Sequence, residues 1–385
     1  MRGLRLNSLP NHIGWSDNGG LPPRLRFPLI LNTRTAVEGA TREPVTDIMN
    51  RRKFTLLSTA TAVSAAGLGR SESHHEGFFS LRRESGHWWL TSPQHPRFFS
   101  LGLNTSGPEE VSELEIRHWQ RHYGRDAREW IDAQDRDSLE GGGFNSCGTG
   151  RAGEGRPFCY VVPFSGAGRW NDREVQCDYL KTDFEEWCDH VAREHCRPLA
   201  GERDLIGYHY NDGPCWIHDE PVSEWRGPLF DGARLRSKAG RRELRSLARR
   251  YYQATAEAIR RYDGHHLILG DRYVASSPLP REIYEEALAR VDVLSFQDFQ
   301  DPVGNLRAWY ELTGKPVLLA DTARLAPRRR GAEVCSVDAG WYRSVLRGSL
   351  ANPGCVGCHL TGAEERPACR RVNAAARRWV AGRRC

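Results

Sequence analysis

Leu205-Ile206-Gly207-Tyr208-His209-Tyr210-Asn211-Asp212-Gly213-Pro214-Cys215-Trp216 is an apolar run that ends abruptly in a carboxylate, then a turn, then a tryptophan. A second run, Pro316-Val317-Leu318-Leu319-Ala320, ends the same way in Asp321. Short continuous apolar runs bounded by turn residues are what strands buried on both faces require. Such strands belong to parallel sheets covered by helices.

Outward from these two runs, strand-like segments alternate with helical patterns from about residue 86 onward. His87-Trp88-Trp89-Leu90 and Arg97 to Asn104 flank a Ser-Pro turn, which predicts an opening hairpin whose second run continues as the first core strand. A helical stretch is expected over 109–133, strand two over Gly143–Cys147 and strand three over Phe158–Pro163. Phe184, Trp187, Cys188 and Val191 share one face of a helix predicted over 182–197, ahead of strand four at Leu205–Tyr210. A helix near 240–262 leads to strand five at His266–Gly270. Strands six, seven and eight are expected at Val291–Phe296, Pro316–Ala320 and Cys355–Cys358. Eight strand–helix units in about 290 residues predict an α/β chain, a (β/α)8 TIM barrel preceded by a short N-terminal β-hairpin. The competing doubly wound sheet carries its glycine-rich turn after a strand, whereas Gly141-Gly142-Gly143 comes before one.

The net charge of +6 misdescribes the body of the chain. The first 70 residues hold ten Lys/Arg against four Asp/Glu, which is the whole excess; the remaining residues hold 45 of each sign. A neutral body argues against nucleic acid as a partner. Met49 is followed by Asn50-Arg51-Arg52-Lys53-Phe54-Thr55-Leu56-Leu57 and a small-residue stretch to Gly69. Paired arginines before a short apolar core and small residues are the pattern of a twin-arginine export signal. The expected organisation is therefore an upstream extension over 1–48, an export signal over 49–70, a linker and hairpin over 71–97, and a catalytic barrel over 98–385. Such a protein is exported folded, with no membrane association beyond export. Eleven cysteines, scattered and odd in number, do not form a disulfide framework, although one or a few pairs are compatible with export.

Functional residues of such a barrel gather where its strands end. The expected strand ends supply Asn104, Asn145, Asp212, Asp271 with Arg272, Gln297 with Asp298, Asp321 and His359. Two carboxylates on two strand ends are the requirement of glycosidic bond cleavage, one as acid and one as nucleophile or base. Tyr210 and Asn211, beside Asp212, join the substrate-binding set. Aromatic faces suit the C–H faces of pyranoses, so Trp216, Trp170, Trp225 and Trp309 are stacking candidates, with Trp216 foremost because it follows Asp212.

Cys355-Val356-Gly357-Cys358-His359 matches the c-type haem attachment pattern. It falls on an expected buried strand, where successive side chains point to opposite faces, and both sulfurs and the imidazole would have to reach one face. No metal or organic cofactor is expected.

Trp88-Trp89-Leu90 through Phe98-Phe99-Ser100-Leu101-Gly102-Leu103-Asn104 resembles the opening hairpin and first strand of β-agarase-like glycoside hydrolases. Gly143-Phe144-Asn145 is similar to their second strand. Asp183-Phe184 through Cys188 and Cys196, with Leu205 to Tyr208, is similar to the helix and strand that deliver their acid/base. The resemblance covers about residues 86–360. It implies a (β/α)8 glycoside hydrolase acting on a polysaccharide or oligosaccharide, with Asp212 as general acid and Asp321 as base or nucleophile. These enzymes usually end strand four in Asn-Glu; an ungapped match puts Gly213 at that glutamate, and Asp321 replaces the second one. Either the chain works with two aspartates, or it is a carbohydrate-binding barrel without turnover. Aspartate is a methylene shorter than glutamate, so the expected gap admits a water and favours inversion.

Overall fold

A computed structural model of the chain describes residues 77–92, 94–104, 139–149, 155–164, 168–170, 173–175, 183–214, 216–217, 230–327, 333–336, 339–361 and 366–382. The expected export segment, the 109–133 helix and Trp225 lie outside these residues.

Strands β1 (Ser80–Glu84) and β2 (His87–Thr91) pair antiparallel, closed by a turn with Ser85 and Gly86 both at positive φ. That is the two-residue turn geometry whose twist suits a hairpin. The hairpin therefore lies one strand earlier than the sequence pattern predicts. The partner of His87–Thr91 is Ser-Leu-Arg-Arg-Glu, whose single leucine gives no apolar alternation. The Phe98 run touches β2 only through a Leu90–Phe98 bridge.

Eight strands then close into a parallel barrel: β3 (Ser100–Asn104), β4 (Ser146–Thr149), β5 (Phe158–Val161), β8 (Leu205–Asp212), β9 (Leu267–Val274), β10 (Leu294–Gln297), β11 (Val317–Thr322) and β14 (Cys355–Thr361), with β14 returning to β3. Two small antiparallel pairs, β6 (Gly168–Trp170) with β7 (Arg173–Val175), and β12 (Arg324–Pro327) with β13 (Glu333–Ser336), follow strands three and seven of the barrel. Helices α1 (Phe184–His195), α2 (Lys238–Tyr262), α3 (Arg281–Leu288), α4 (Pro302–Thr313), α5 (Ala339–Ala351) and α6 (Arg366–Gly382) intervene between strands or close the chain. The expected (β/α)8 barrel with its leading hairpin is the observed fold.

Alternation along the strands divides the core in two. Cys159, Ile206, Leu267, Leu269, Val293, Leu318, Ala320 and Val356 form one apolar cluster with Phe79, Leu90 and Phe98. The N-terminal hairpin thus covers the apolar end of the barrel interior, and burying a side chain such as Leu90 there contributes roughly 2 kcal/mol. Tyr208, Tyr210, Leu294, Phe296, Val317, Leu319 and Cys358 face outward and pack with the helices.

Helix α2 begins at an N-cap, where Ser237 Oγ accepts the Gly240 N–H at 3.0 Å. It buries Leu244, Ala248, Tyr251, Tyr252, Thr255 and Ile259, a three-and-four spacing that makes one stripe against the barrel. Its arginines Arg241, Arg245 and Arg249 pair with Glu282, Glu285 and Glu286 of α3. Half-exposed pairs of this kind stabilise by less than about 1 kcal/mol each, so the apolar stripe seats the helix. That seating places Tyr251 and Tyr252 behind strands β8 and β9.

Candidate active site

Strand β8 sends Tyr208 and Tyr210 outward and His209 inward, then departs from regular register between His209 and Asp212. Asp212 resumes pairing as the register partner of Arg272 on β9, and the Gly213 N–H donates to the Arg272 carbonyl at 2.8 Å. Gly213 has a φ of 52°, a left-handed turn that ends the strand and that glycine adopts at little cost. Arg272 Nη2 stands 3.3 Å from Asp212 Oδ2, with the guanidinium side chain 9% exposed and the carboxylate 28% exposed.

Asp321 lies within the last turn-ward residues of β11 and is buried. Its Oδ1 accepts the hydroxyl of Thr361, at the end of β14. Asn104, at the end of β3, donates to Thr361 Oγ1 at 3.2 Å and to the Ala320 carbonyl at 3.1 Å. Burial pushes the Asp321 carboxyl up to about 6; the Arg272 charge opposes this, and the Asp212 charge adds to it. Asp212 and Asp321, 109 positions apart in the chain, therefore act on each other electrostatically around one guanidinium. Their environments differ: one carboxylate is partly exposed and ion-paired, the other is enclosed and holds its proton into the weakly acidic range.

Two imidazoles line the barrel near Arg272. His359 Nε2 is 2.8 Å from Ser100 Oγ, which lies 2.7 Å from Ser146 Oγ. Burial, then the Arg272 charge, pushes His359 down to about 3 and His209 well below its usual value. Both are neutral near pH 7 rather than proton stores, and His359 is held by its hydrogen bond to Ser100. The His359 ring has room because Gly102 and Gly148 carry no Cβ: one at Gly102 would come within 2.3 Å of the ring, and one at Gly148 within 2.9 Å of Nδ1.

Several expected substrate-binding residues lie elsewhere. Asn145 precedes β4 rather than ending it; its Oδ1 accepts the Leu101 N–H at 2.7 Å and its Nδ2 donates to the Phe99 carbonyl at 3.0 Å. It pins the starts of two strands, at the end opposite the carboxylates. Asp271 does not end its strand, because β9 runs on to Val274; its side chain points outward to Tyr251 and Tyr252. Asn211 joins that outward network, and Tyr210 packs edge-on against Phe164 and Tyr251. Trp216 is 0% exposed and packs on Tyr251 and Tyr252, so it offers no face to a sugar. Trp309 stacks on Phe296 and donates to the Ala275 carbonyl at 3.1 Å, also in the core. Gln297 ends β10, partly exposed and in register with Asp321. Asp298 is buried and caps the following turn by accepting the Gln300 and Asp301 N–H groups. The structure thus gathers Asn104, Asp212, Arg272, Gln297, Asp321 and His359 at or near the strand ends. Thr361 was not anticipated, because strand eight outlasts its expected end at Cys358; its place three residues beyond an apolar run was the available signal.

Cys355 and Cys358 point into the outer core while His359 points inward, so the three groups of the haem-like motif do not share a face. Seven cysteines among the described residues are buried.

No family model matches the chain, and no curated protein matches it. Solved structures do. An exo-β-agarase matches with a TM-score of 0.59 and 14% identity, over 80% of this chain and 66% of that one. The agarase AgWH50C matches with a TM-score of 0.57 and 14% identity, over 78% and 63%. The structure of PfGH50B matches with a TM-score of 0.59 and 13% identity, over 78% and 66%. The chain spans just under two thirds of the length of these structures. At such identities the likeness is one of fold.

Proposed function

We propose that the chain is a glycoside hydrolase that cleaves a polysaccharide or oligosaccharide using Asp212 and Asp321. The observation that carries this reading is the convergence of two carboxylates from barrel strands four and seven on Arg272 at the carboxyl ends of the strands. The agarase fold neighbours support the same reading. The environments favour roles opposite to those expected from sequence. Asp321, enclosed and pushed up to about 6, is the general acid that protonates the leaving oxygen. Asp212, paired with Arg272, is the nucleophile or the base that activates water. Asn104, Gln297 and Thr361 line the rim on the Asp321 side. No step in this scheme calls on a metal or an organic cofactor.

The test is a screen of the chain from residue 71 onward against algal and plant polysaccharides, scored by released reducing ends. Asp212→Asn and Asp321→Asn should each abolish the activity found. Hydrolysis unchanged in both variants would overturn the assignment.

A second reading is favoured by one observation: Gly213 occupies the position that matches the usual glutamate, and Asp212 is already paired with Arg272. On that reading the barrel holds carbohydrate without cutting it. Saturable binding to a polysaccharide that the wild type never degrades would select it. We read residues 49–70 as a twin-arginine signal in either case; N-terminal sequencing of the secreted protein tests it.

A further inference from the structure

We propose that Asp271, behind the barrel wall, is a positioning residue that locks the strand end carrying Asp212 against the strand carrying Arg272. The kinetic part of this inference rests on the hydrolase reading above; the structural part does not.

Asp271 Oδ1 accepts three hydrogen bonds: from the Asn211 backbone N–H at 3.2 Å, from Asn211 Nδ2 at 3.0 Å and from the Tyr251 hydroxyl at 3.0 Å. Oδ2 accepts the Tyr252 hydroxyl at 2.8 Å, and the Tyr252 oxygen is in turn bonded by Tyr273. Asn211 Nδ2 also reaches the Tyr251 oxygen at 2.6 Å. All five residues are buried.

Three features point to orientation as the purpose. First, after a break in alternation that sends both Tyr210 and Asn211 outward, the last residues of β8 again turn to opposite faces. Asn211 and Asp271 point out to α2, while Asp212 and Arg272, the next residue on each strand, point to the site. Whatever fixes the outer pair fixes the inner pair. Second, the β8–β9 ladder is irregular between His209 and Asp212. The Asn211 N–H bonds to the Asp271 carboxylate rather than to a backbone carbonyl of β9. The side chain closes the gap where the ladder lapses, one residue before the reacting carboxylate. Third, the arrangement is an expensive way to fill a core. Asp271 has no cationic partner among the described residues, and burial pushes its carboxyl up to about 6 despite four donors. An apolar filler of similar volume is generally no less stable than such a buried charge. Apolar groups cannot hold a backbone N–H in one direction, and a misplacement of about 1 Å at a reacting group costs on the order of a hundredfold in rate.

The groups facing Asp271 are Tyr251 and Tyr252 on α2, Asn211 and Tyr210 on β8, and Tyr273 on its own strand; Arg272 lies on the other face. None supplies a neutralising charge from the outer side.

The experiment uses the full chain with Asp271→Asn, Tyr252→Phe and the exchanged pair Asn211→Asp/Asp271→Asn. On the responsive polysaccharide, Asp271→Asn should lower kcat roughly ten- to a hundredfold with KM within about threefold. The exchanged pair, which restores one carboxylate and one amide, should recover most of that loss. A wild-type kcat in Asp271→Asn, or an exchanged pair no better than the single variant, overturns the inference. If Asp271→Asn does not fold, Tyr252→Phe carries the kinetic arm with a smaller loss in kcat. A second arm needs no substrate: melting temperatures of Asp212→Asn, Asp271→Asn and the double variant. The two side chains point to opposite faces, so independent sites would give additive shifts, and additivity overturns the clamp. Non-additive shifts in a chain that degrades no polysaccharide would leave the clamp standing and remove the hydrolase reading.

Discussion

Arg272 and Asp212 are register partners on adjacent barrel strands, and their side chains meet at 3.3 Å between Nη2 and Oδ2. The same guanidinium draws down the Asp321 carboxyl, which burial and the Asp212 charge push up. One cation thus pairs with one carboxylate and tempers the rise that burial imposes on the other.

The assignment of roles predicts a leaving-group dependence. With an aryl glycoside whose phenol leaves unaided, Asp321→Asn should retain much of the wild-type rate, whereas Asp212→Asn should lose it with every leaving group. Rates across a series of substituted aryl glycosides measure this. The opposite pattern would return the acid role to Asp212.

Removing the cation should move the pH profile. An acid with a pKa raised to about 6 works while protonated, so activity falls as pH rises through that value. Arg272→Met deletes the opposing positive charge. The alkaline limb of kcat/KM should then shift to higher pH, with a lower plateau because Asp212 loses its partner. A limb that stays in place or moves to lower pH would contradict the shared-cation account.

Asp321 should cost the fold stability. Its carboxyl rises from 3.8 to about 6 on folding, so the folded state binds the proton more tightly between those values. Stability therefore falls as pH rises from about 4 to about 6 and stays lower above that. Asp321→Asn keeps an acceptor for Thr361 and removes the charge. It should stabilise the protein near pH 7 by at most on the order of 3 kcal/mol, with no gain near pH 4. Urea unfolding at the two pH values reads the difference.

Gly102 and Gly148 are spacers for the polar interior. A Cβ at Gly102 would stand 2.3 Å from the His359 ring, and one at Gly148 would stand 2.0 Å from Asn104 Oδ1. Gly102→Ala should destabilise by roughly 1–3 kcal/mol through overpacking. Gly148→Ala should also displace Asn104 and reduce activity beyond its effect on melting temperature. A Gly148→Ala variant with full specific activity would separate Asn104 from the site.

Aspartates in place of glutamates retract both carboxylates by a methylene, and Arg272 stands beside Asp212. The resulting gap should fall in the inverting class, about 6.5–9.5 Å, rather than the 5–5.5 Å of retaining enzymes. Proton NMR of the anomeric signals in the first minutes of hydrolysis distinguishes the two. A product that retains the substrate's anomeric configuration would exclude inversion.

Most of the barrel strands were legible in the chain because a strand buried on both faces is written as a largely apolar run; strand two, Ser-Cys-Gly-Thr, carries no such run and lies three residues beyond its expected start. The two carboxylates were legible for the same reason, since each terminates such a run. The ends of the other strands were not. A polar residue that points into a barrel looks, in sequence, like the first residue of a loop. Asp271-Arg272 was therefore read as the end of strand five when the strand continues past it, and Thr361 was passed over. The leading strand Ser80–Glu84 was missed because its pairing comes from backbone hydrogen bonds and a turn rather than from apolar alternation.

Chain composition and order settled the architecture of this protein, because a barrel needs only buried runs at helix-length intervals. Which way each polar side chain faces, and hence whether Trp216, Asn211 and Asp271 meet a ligand or a helix, was decided by register and by one lapse in a ladder. A shift of one residue along a strand exchanges the inside of a barrel for its outside, and nothing local to the sequence records that shift.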